Sequence, residues 1–456
     1  MKKRVISMVL AGVMALSLCA CGGAAAEAPA PTPEAPAAEE EAPAQEEAEA
    51  PAAEEEAPAA EEASSEPITL NMWCIATESD SNRHSYEAAI ADMQAAHPEV
   101  TLNWEAFENE SYKTKIKAAV SANEMPDIFF TWSCAFLQDF VDAGKVYCLD
   151  AAYEEFKDEL PESMLGNSTY DGKHYGVPLT MNIVGLFANM DLLKQVGYDD
   201  VPGTYDEFIE CCDALKAAGI IPFGCAGKET WCVTEYLESV IEKSVGSDAL
   251  NDIFLGRATW DNADVAAAVD TFQSLVNNGY FDPNGIALGN DEVKANFMDG
   301  KYAFYMNGTW NCADFANNAE FFPKVKVAEF PVINADKATL GQLIGGPSDT
   351  LAVAASSANA DIAAKYCFEL GKLICHYGYL DGCGLPAWTP YGDTSAVNAL
   401  TQDVAVICGN ATGYVLFGDT AMNADDANTY LSYVDLVYGC EVDGQGFIEG
   451  LANDIR

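Results

Sequence analysis

Positive charge is what this sequence has least of. Lys and Arg number 23 against 71 Asp and Glu, a formal net charge of −48. That balance excludes a nucleic-acid partner as the default, because phosphate recognition needs a surplus of Lys and Arg. Only four His occur, little material for a zinc enzyme. No apolar run reaches the roughly 20 residues of a membrane span, which excludes a polytopic transporter. Gly-x-Ser-x-Gly, His-Glu-x-x-His and Gly-x-x-x-x-Gly-Lys-Ser/Thr are missing. Gly224-Cys-Ala-Gly-Lys-Glu229 lacks the hydroxyl residue that would reach magnesium. No cofactor and no metal is expected.

The first residues read as an address. Lys2, Lys3 and Arg4 precede an apolar stretch from Val5 to Ala20, the layout of a signal peptide over 1–20. The stretch ends Leu18-Cys19-Ala20-Cys21-Gly22, which resembles a bacterial lipobox. That resemblance implies cleavage before Cys21 and diacylglycerol on its sulfur, with a second acyl chain needed for stable anchoring. A plain secretory peptide that happens to contain Cys is the alternative. Residues 22–66 hold 14 Glu, no Lys or Arg and no aromatic. Such a segment cannot offset its ordering entropy by burial, so 21–66 is expected to be a disordered Ala/Glu/Pro spacer from membrane to folded domain.

Residues 67–456 are rich in apolar side chains and still carry a net charge of −37. They include 13 Cys, an odd number, and no Cys-x-x-Cys. Many of these Cys sit inside apolar runs, where Cys behaves as a small hydrophobe. Mostly free thiols are expected, with Cys225 and Cys232 the pair to test first for a bridge.

Alternating elements run along this part. Strands are predicted at Ile68–Ile75, Val100–Phe107 and Asp127–Trp132, with helices at Ser85–Ala96 and Tyr112–Glu124 between them. That order implies a parallel sheet covered by helices. A strand is predicted at Val184–Met190. A helix over Tyr205–Ala218 has Thr204 as N-cap and Glu207 three residues on, a capping box. Helices at 231–243, 262–278 and 290–298 precede strands at 302–306 and 325–330. Helices then dominate to the end, Ile362–Cys375 being the clearest.

Several segments resemble the family 1 extracellular solute-binding proteins of bacterial ABC importers, the large sugar-binding type. They are Met125-Pro-Asp-Ile-Phe-Phe-Thr-Trp132, Asp171-Gly-Lys-His-Tyr-Gly-Val-Pro178, Gly185-Leu-Phe-Ala-Asn-Met-Asp-Leu-Leu193, Gly203-Thr-Tyr-Asp-Glu-Phe208, Leu215-Lys-Ala-Ala-Gly-Ile-Ile-Pro222, Phe297 through Trp310, Gly345-Gly346 and Leu385-Pro-Ala387. Each is weak alone; their order and spacing together are specific and cover essentially all of 67–456. The resemblance implies an α/β, bilobal periplasmic-binding-protein fold of the large type II kind. Each lobe would be a three-layer α/β sandwich, with a ligand cleft between. It implies crossings near 181–184, 345–350 and 395, hence one lobe from 67–182 plus 350–395 and another from 183–349 plus 396–456.

The same resemblance implies capture of a sugar or oligosaccharide and its delivery to the permease subunits of an ABC importer. The protein would be a monomer, lipid-anchored on the outer face of the cell membrane, with no chemistry done on the ligand. A sugar offers an apolar ring face to aromatics and a rim of hydroxyls to carboxylates and amides. Trp310 matches the family's stacking Trp; Trp231 opens a helix where the family often stacks an aromatic; Trp132 ends a strand at the edge where α/β sheets bind ligands. Ser133 beside it could offer its hydroxyl or N–H. Glu78 lies in the loop after the first strand, as ligand contact or helix-terminal charge. Asn182 adjoins the first crossing. Asp349 follows Gly-Gly where relatives carry an aromatic. Trp388 belongs either to the cleft or to surface packing. Glu105 and Glu108 read as a solvated loop, and Trp73 as core. Two rival readings stay open: the same fold taking a polyamine or other small polar solute, and, more remotely, an extracellular glycoside hydrolase built on two facing carboxylates.

Overall fold

The computed structural model describes residues 68–455. The expected signal peptide, the lipid-attachment residue Cys21 and the acidic spacer lie outside the described residues. Fourteen strands occur among the described residues: β1 Ile68–Cys74, β2 Val100–Ala106, β3 Ile128–Trp132, β4 Thr169–Tyr170, β5 Lys173–His174, β6 Val177–Pro178, β7 Thr180–Asn189, β8 Ile221–Gly224, β9 Tyr302–Gly308, β10 Val325–Ala328, β11 Gln342–Gly346, β12 Asp349–Val353, β13 Leu385–Pro386 and β14 Gly413–Val415. They build two larger sheets and one small hairpin, β4 with β5.

The first sheet has the order β2-β1-β3-β12-β6. β1 pairs parallel with β2 and β3, as the strand–helix alternation predicts. The sheet is nevertheless mixed, because β12 returns antiparallel to both β3 and β6. The parallel expectation covers only the strands joined by helical crossovers. β12 arrives from the other sheet, so no crossover sets its direction. The helices Arg83–Ala96 and Ala360–Asp381 pack on each other beside this sheet. Arg83–Ala96 turns Tyr86, Ala89, Ile90 and Met93 inward, the 3–4 spacing of an amphipathic helix.

The second sheet has the order β14-β11-β7-β9-β8, with β10 and β13 also pairing on β7. The helix Tyr205–Ala217 starts as its cap predicts: Thr204 Oγ1 accepts the Glu207 N–H at 3.3 Å. The helix Thr230–Val245 is enclosed on all sides, every residue from Cys232 to Val245 being buried. The C-terminal helices Ala424–Tyr438 and Gly444–Asp454 join the same core through Tyr430, Val434, Phe447 and Leu451.

Each sheet therefore has its own apolar core, which is the bilobal arrangement. The chain passes between lobes three times. It does so once between the helices Ala360–Asp381 and Ala399–Gly409, and twice at adjacent places where β6 runs on into β7 and β11 runs on into β12. There Gly345 pairs with Ile183 and Gly346 with Asn182. Gly345 has φ +130°, and a Cβ on it would stand 2.3 Å from the Asn182 carbonyl oxygen. Only glycine fits so close an approach at that dihedral. All 13 cysteines among the described residues are free, Cys225 and Cys232 included.

Candidate functional site

The C-terminal ends of β1, β2 and β3 face one side of a cavity of about 450 Å³, and the loops after β8 and β9 face the other. Binding outside the carboxyl ends of strands is the usual placement in α/β sheets. The first lobe contributes the loop Ser79–Asn82, Glu108, Lys113, Trp132 and Asp349. The second contributes Trp231, Glu235, Asn290, Lys294, Trp310, Asn311 and Phe417, among others.

Trp132, Trp231, Trp310 and Asp349 are thus brought together as expected from the sequence. Trp231 and Trp310 have ring centroids 6.1 Å apart at 57°, and Trp310 stands 6.3 Å from Phe417. The Trp310 ring lies over Gly308, where a Cβ would meet it at 2.1 Å. The expected Asn-Gly-Thr-Trp turn therefore needs its glycine for close approach rather than for an unusual φ. Trp132 is held edge-on by Phe130 at 5.0 Å and Phe136 at 5.1 Å. Lys113 Nζ stands 5.2 Å from the Trp132 ring centroid.

Four other expected contacts lie elsewhere. Trp388 is 3% exposed in the first lobe's core, its Nε1–H donating to the Pro178 carbonyl at 2.9 Å. It packs edge-on against Phe156 and Phe368. Glu78 projects into solvent and pairs with Arg83 at 3.2 Å, while its neighbours Ser79 and Asp80 line the cavity. Ser133 is fully buried; its N–H donates to the Ser348 carbonyl at 2.8 Å and its hydroxyl to the Pro347 carbonyl at 3.3 Å. It fastens β3 to the chain crossing. Asn182 Oδ1 accepts the Thr309 hydroxyl at 3.0 Å, and Thr309 Oγ1 accepts the Ile183 N–H at 3.1 Å. Asn182 is a buried support under the Trp310 turn.

Conversely, Glu108 is no mere loop residue. It caps the helix Asn109–Ala122, accepting the N–H groups of Glu110 and Ser111 at 3.0 Å each, and it lines the cavity. Those bonds set its carboxyl below the ordinary value against the opposing effect of desolvation. Asn311, Asn290 and Glu235 also escaped the sequence reading. Asn311 Nδ2 donates to Asn307 Oδ1 at 2.8 Å and to the Gly308 carbonyl at 3.0 Å. Asn290 Oδ1 accepts from Tyr305 Oη at 3.1 Å. These bonds make a rigid amide network beneath the indoles.

Three buried polar groups on the cavity wall have no partner among the described residues: Trp231 Nε1, Asn311 Oδ1 and both Glu235 oxygens. Buried polar atoms are nearly always satisfied. Here a donor, an acceptor and a carboxyl on one wall are left without a partner. On the facing lobe, burial raises Asp349 to about 7, with nearby Asp80 adding to the shift. Burial likewise raises Asp80 to about 6 against the hydrogen bonds of Asn82. Two contacts bridge the lobes beside the cavity. Ser81 Oγ donates to Asp314 Oδ2 at 2.8 Å, and Lys113 Nζ stands 3.5 Å from Asp419 Oδ2.

Known proteins resemble this chain in sequence and fold. The family described as bacterial extracellular solute-binding protein matches residues 88–367. A putative binding protein of Brucella abortus (strain 2308) is 27% identical over 219 residues, 47% of this chain and 52% of that one. The match thus spans about half the length of that curated relative. The multiple sugar-binding protein of Streptococcus mutans is 22% identical over 343 residues, covering 74% of this chain and 79% of its own. A solved structure from work on xylan utilization by the thermophilic bacterium Caldanaerobius polysaccharolyticus superposes with a TM-score of 0.82 at 32% identity. It covers 85% of this chain and all of that one. A chitin oligosaccharide binding protein shares the fold with a TM-score of 0.78 at 22% identity, covering 85% of this chain and 98% of that one. With the family match running over more than half of its length and the first of these structures matched from end to end, the chain belongs to the bacterial extracellular solute-binding proteins.

Proposed function

We propose that this chain is the substrate-binding component of an ABC importer, taking up a sugar or oligosaccharide between its lobes and passing it unaltered to membrane permease subunits. The observation that carries the proposal is the wall of Trp231 and Trp310 with open hydrogen-bonding groups beside them. Indole faces stack on sugar rings, and amides or carboxyls take the hydroxyls. We include Trp132, Trp231, Trp310 and Asp349 as direct contacts, with Ser133 and Asn182 as supports. In this reading the lobes are 67–182 plus 350–395 and 183–349 plus 396–456, save that Asp349, at the start of β12, pairs with Trp132 and goes with the first lobe. Cys21 carries the lipid that holds a monomeric protein outside the cell membrane.

A thermal-shift screen tests this. A ligand that binds only the folded state raises its melting temperature by mass action. Xylo-oligosaccharides and chito-oligosaccharides head the panel, because a structure from work on xylan utilization and a chitin oligosaccharide binding protein share the fold. A carbohydrate that raises the melting point is the expected outcome. A second reading, binding of a polyamine, is favoured by the cavity's acidic lining of Asp80, Glu108, Glu229, Glu235, Asp349 and Asp419. Spermidine is therefore the counter-probe. A shift with spermidine and none with any sugar overturns the carbohydrate reading. Turnover of chromogenic glycosides would overturn binding without chemistry.

A further inference from the structure

Glu235 is 1% exposed, lines the cavity, and has neither oxygen bonded by any group among the described residues. The amide of Gly308 comes near it but donates to Asn307 Oδ1 at 2.9 Å. The titratable groups facing it are acids and weak acids. Glu238, Cys232 and Tyr236 stand on its own helix, Asp419 on the short helix Gly418–Ala421, Tyr305 on β9 and Cys225 just after β8. None is a cation. Lys113, which reaches Asp419 at 3.5 Å, is shared with Glu110 at 3.1 Å. Glu238 has two donors on one oxygen, the Gly418 N–H at 3.1 Å and the Tyr430 hydroxyl at 3.0 Å. Glu235 has none.

A carboxylate buried without donors or a counter-charge is among the costliest groups a protein can hold, and such groups keep their proton instead. A neutral acid there has one O–H to give, and its place on the cavity wall lets a ligand oxygen take it. Resting on the carbohydrate reading above, we infer that Glu235 meets the ligand as a carboxylic acid, donating its proton in a hydrogen bond to a ligand oxygen, and so selects for uncharged, oxygen-rich ligands. The direction of its titration agrees, since burial first and then Glu238 and Asp419 push the carboxyl well above its usual range. Trp231, one turn earlier on the same helix, supplies the second open donor at this spot through Nε1. The pair would then require two acceptor oxygens of the ligand, whereas an ordinary sugar-binding carboxylate requires hydroxyl donors.

The substitution Glu235→Gln separates these roles, because the amide keeps a donor and the neutral charge. The full chain and the Gln variant are titrated calorimetrically with xylotetraose, chitotetraose, maltotetraose and raffinose from pH 5 to 9. Infrared spectra of both are taken without ligand at pH 7. The expected results are a protonated-carboxyl carbonyl band that loses one carboxyl's share of its intensity in the variant and affinity within about threefold of wild type at pH 6. Wild-type affinity should fall more steeply towards pH 9 than the variant's, which keeps only the dependence that Asp80 and Asp349 give it. Loss of affinity by tenfold or more at pH 6 in a folded variant, identical pH profiles, or an unchanged infrared band overturns the inference and leaves the carbohydrate reading standing. If no sugar of the panel binds wild type, the carbohydrate reading and this inference fall together.

Discussion

At the scale of single residues, the cavity depends on how one indole is seated. Trp310 lies across Gly308, and its turn is tied down through Thr309 and Asn182. Trp310→Ala removes the stacking face without touching the supports. Its affinity for the captured sugar should drop by about 1–3 kcal/mol, the range measured when bases lose an aromatic partner. Calorimetry checks this, and unchanged affinity would take Trp310 out of the site. Three of the four tryptophans assigned to the cleft line the cavity, and each ends or follows a strand or opens a helix at the end where such sheets bind ligands, a position that could be read from the sequence. That of Trp388 could not. The Leu385-Pro-Ala-Trp388 loop shows that the chain turns there but not that the indole swings back to the Pro178 carbonyl. Glu235 was illegible for another reason. Val233, Leu237 and Val240 give an apolar stripe, so the glutamates between them read as a solvent face. The C-terminal helices, distant in sequence, cover that face.

At the scale of elements, the strands carry the connection between lobes. β7 is paired by β9, β10, β11 and β13, which makes it the backbone of the second lobe and one side of the crossing. Gly345 on β11 is the tightest point. Gly345→Ala would place a methyl 2.3 Å from the Asn182 carbonyl oxygen and 2.6 Å from Ile183 Cα. Backbone strain of this kind costs roughly 1–3 kcal/mol before any displacement of β7 is counted. The variant should melt several degrees lower, at about 2–4 °C per kcal/mol for a lobe-sized unit. An unshifted melting curve would show that the crossing is slack. The helices were the most legible elements. Ile362–Cys375 was foreseen inside the longer Ala360–Asp381, and Tyr205–Ala217 with its Thr204 cap nearly to the residue. Two-residue strands such as β13 left no mark in the sequence. Their pairing is made by β7, not by any pattern of their own.

At the scale of the whole molecule, charge couples stability to pH. Asp80 titrates near 6, and Asp349 and Glu242 near 7, each raised chiefly by burial. The unfolded chain would release those protons near 4. Between these values the folded state holds more protons than the unfolded one, so stability falls as pH rises. Their contribution is full below about 4 and lost as pH climbs through about 7. The ligand-free protein should therefore melt higher at pH 5.5 than at pH 8. A melting temperature that rises over that interval would contradict the buried, uncharged state of these acids. The bilobal architecture was legible from ordered motifs along 67–456, while the direction of β12 was not, because a strand arriving from another lobe owes nothing to local alternation.

The thirteen thiols have a practical corollary. Cys440 alone among those described is exposed, and it sits on the second lobe just after the helix Ala424–Tyr438. Cys211, Cys225, Cys232, Cys312 and Cys367 are sealed in the interior, with thiols driven upward by desolvation. A maleimide fluorophore offered to the folded domain would reach Cys440 ahead of these interior sites. Such a tag would mark the second lobe with no engineering of the chain beforehand.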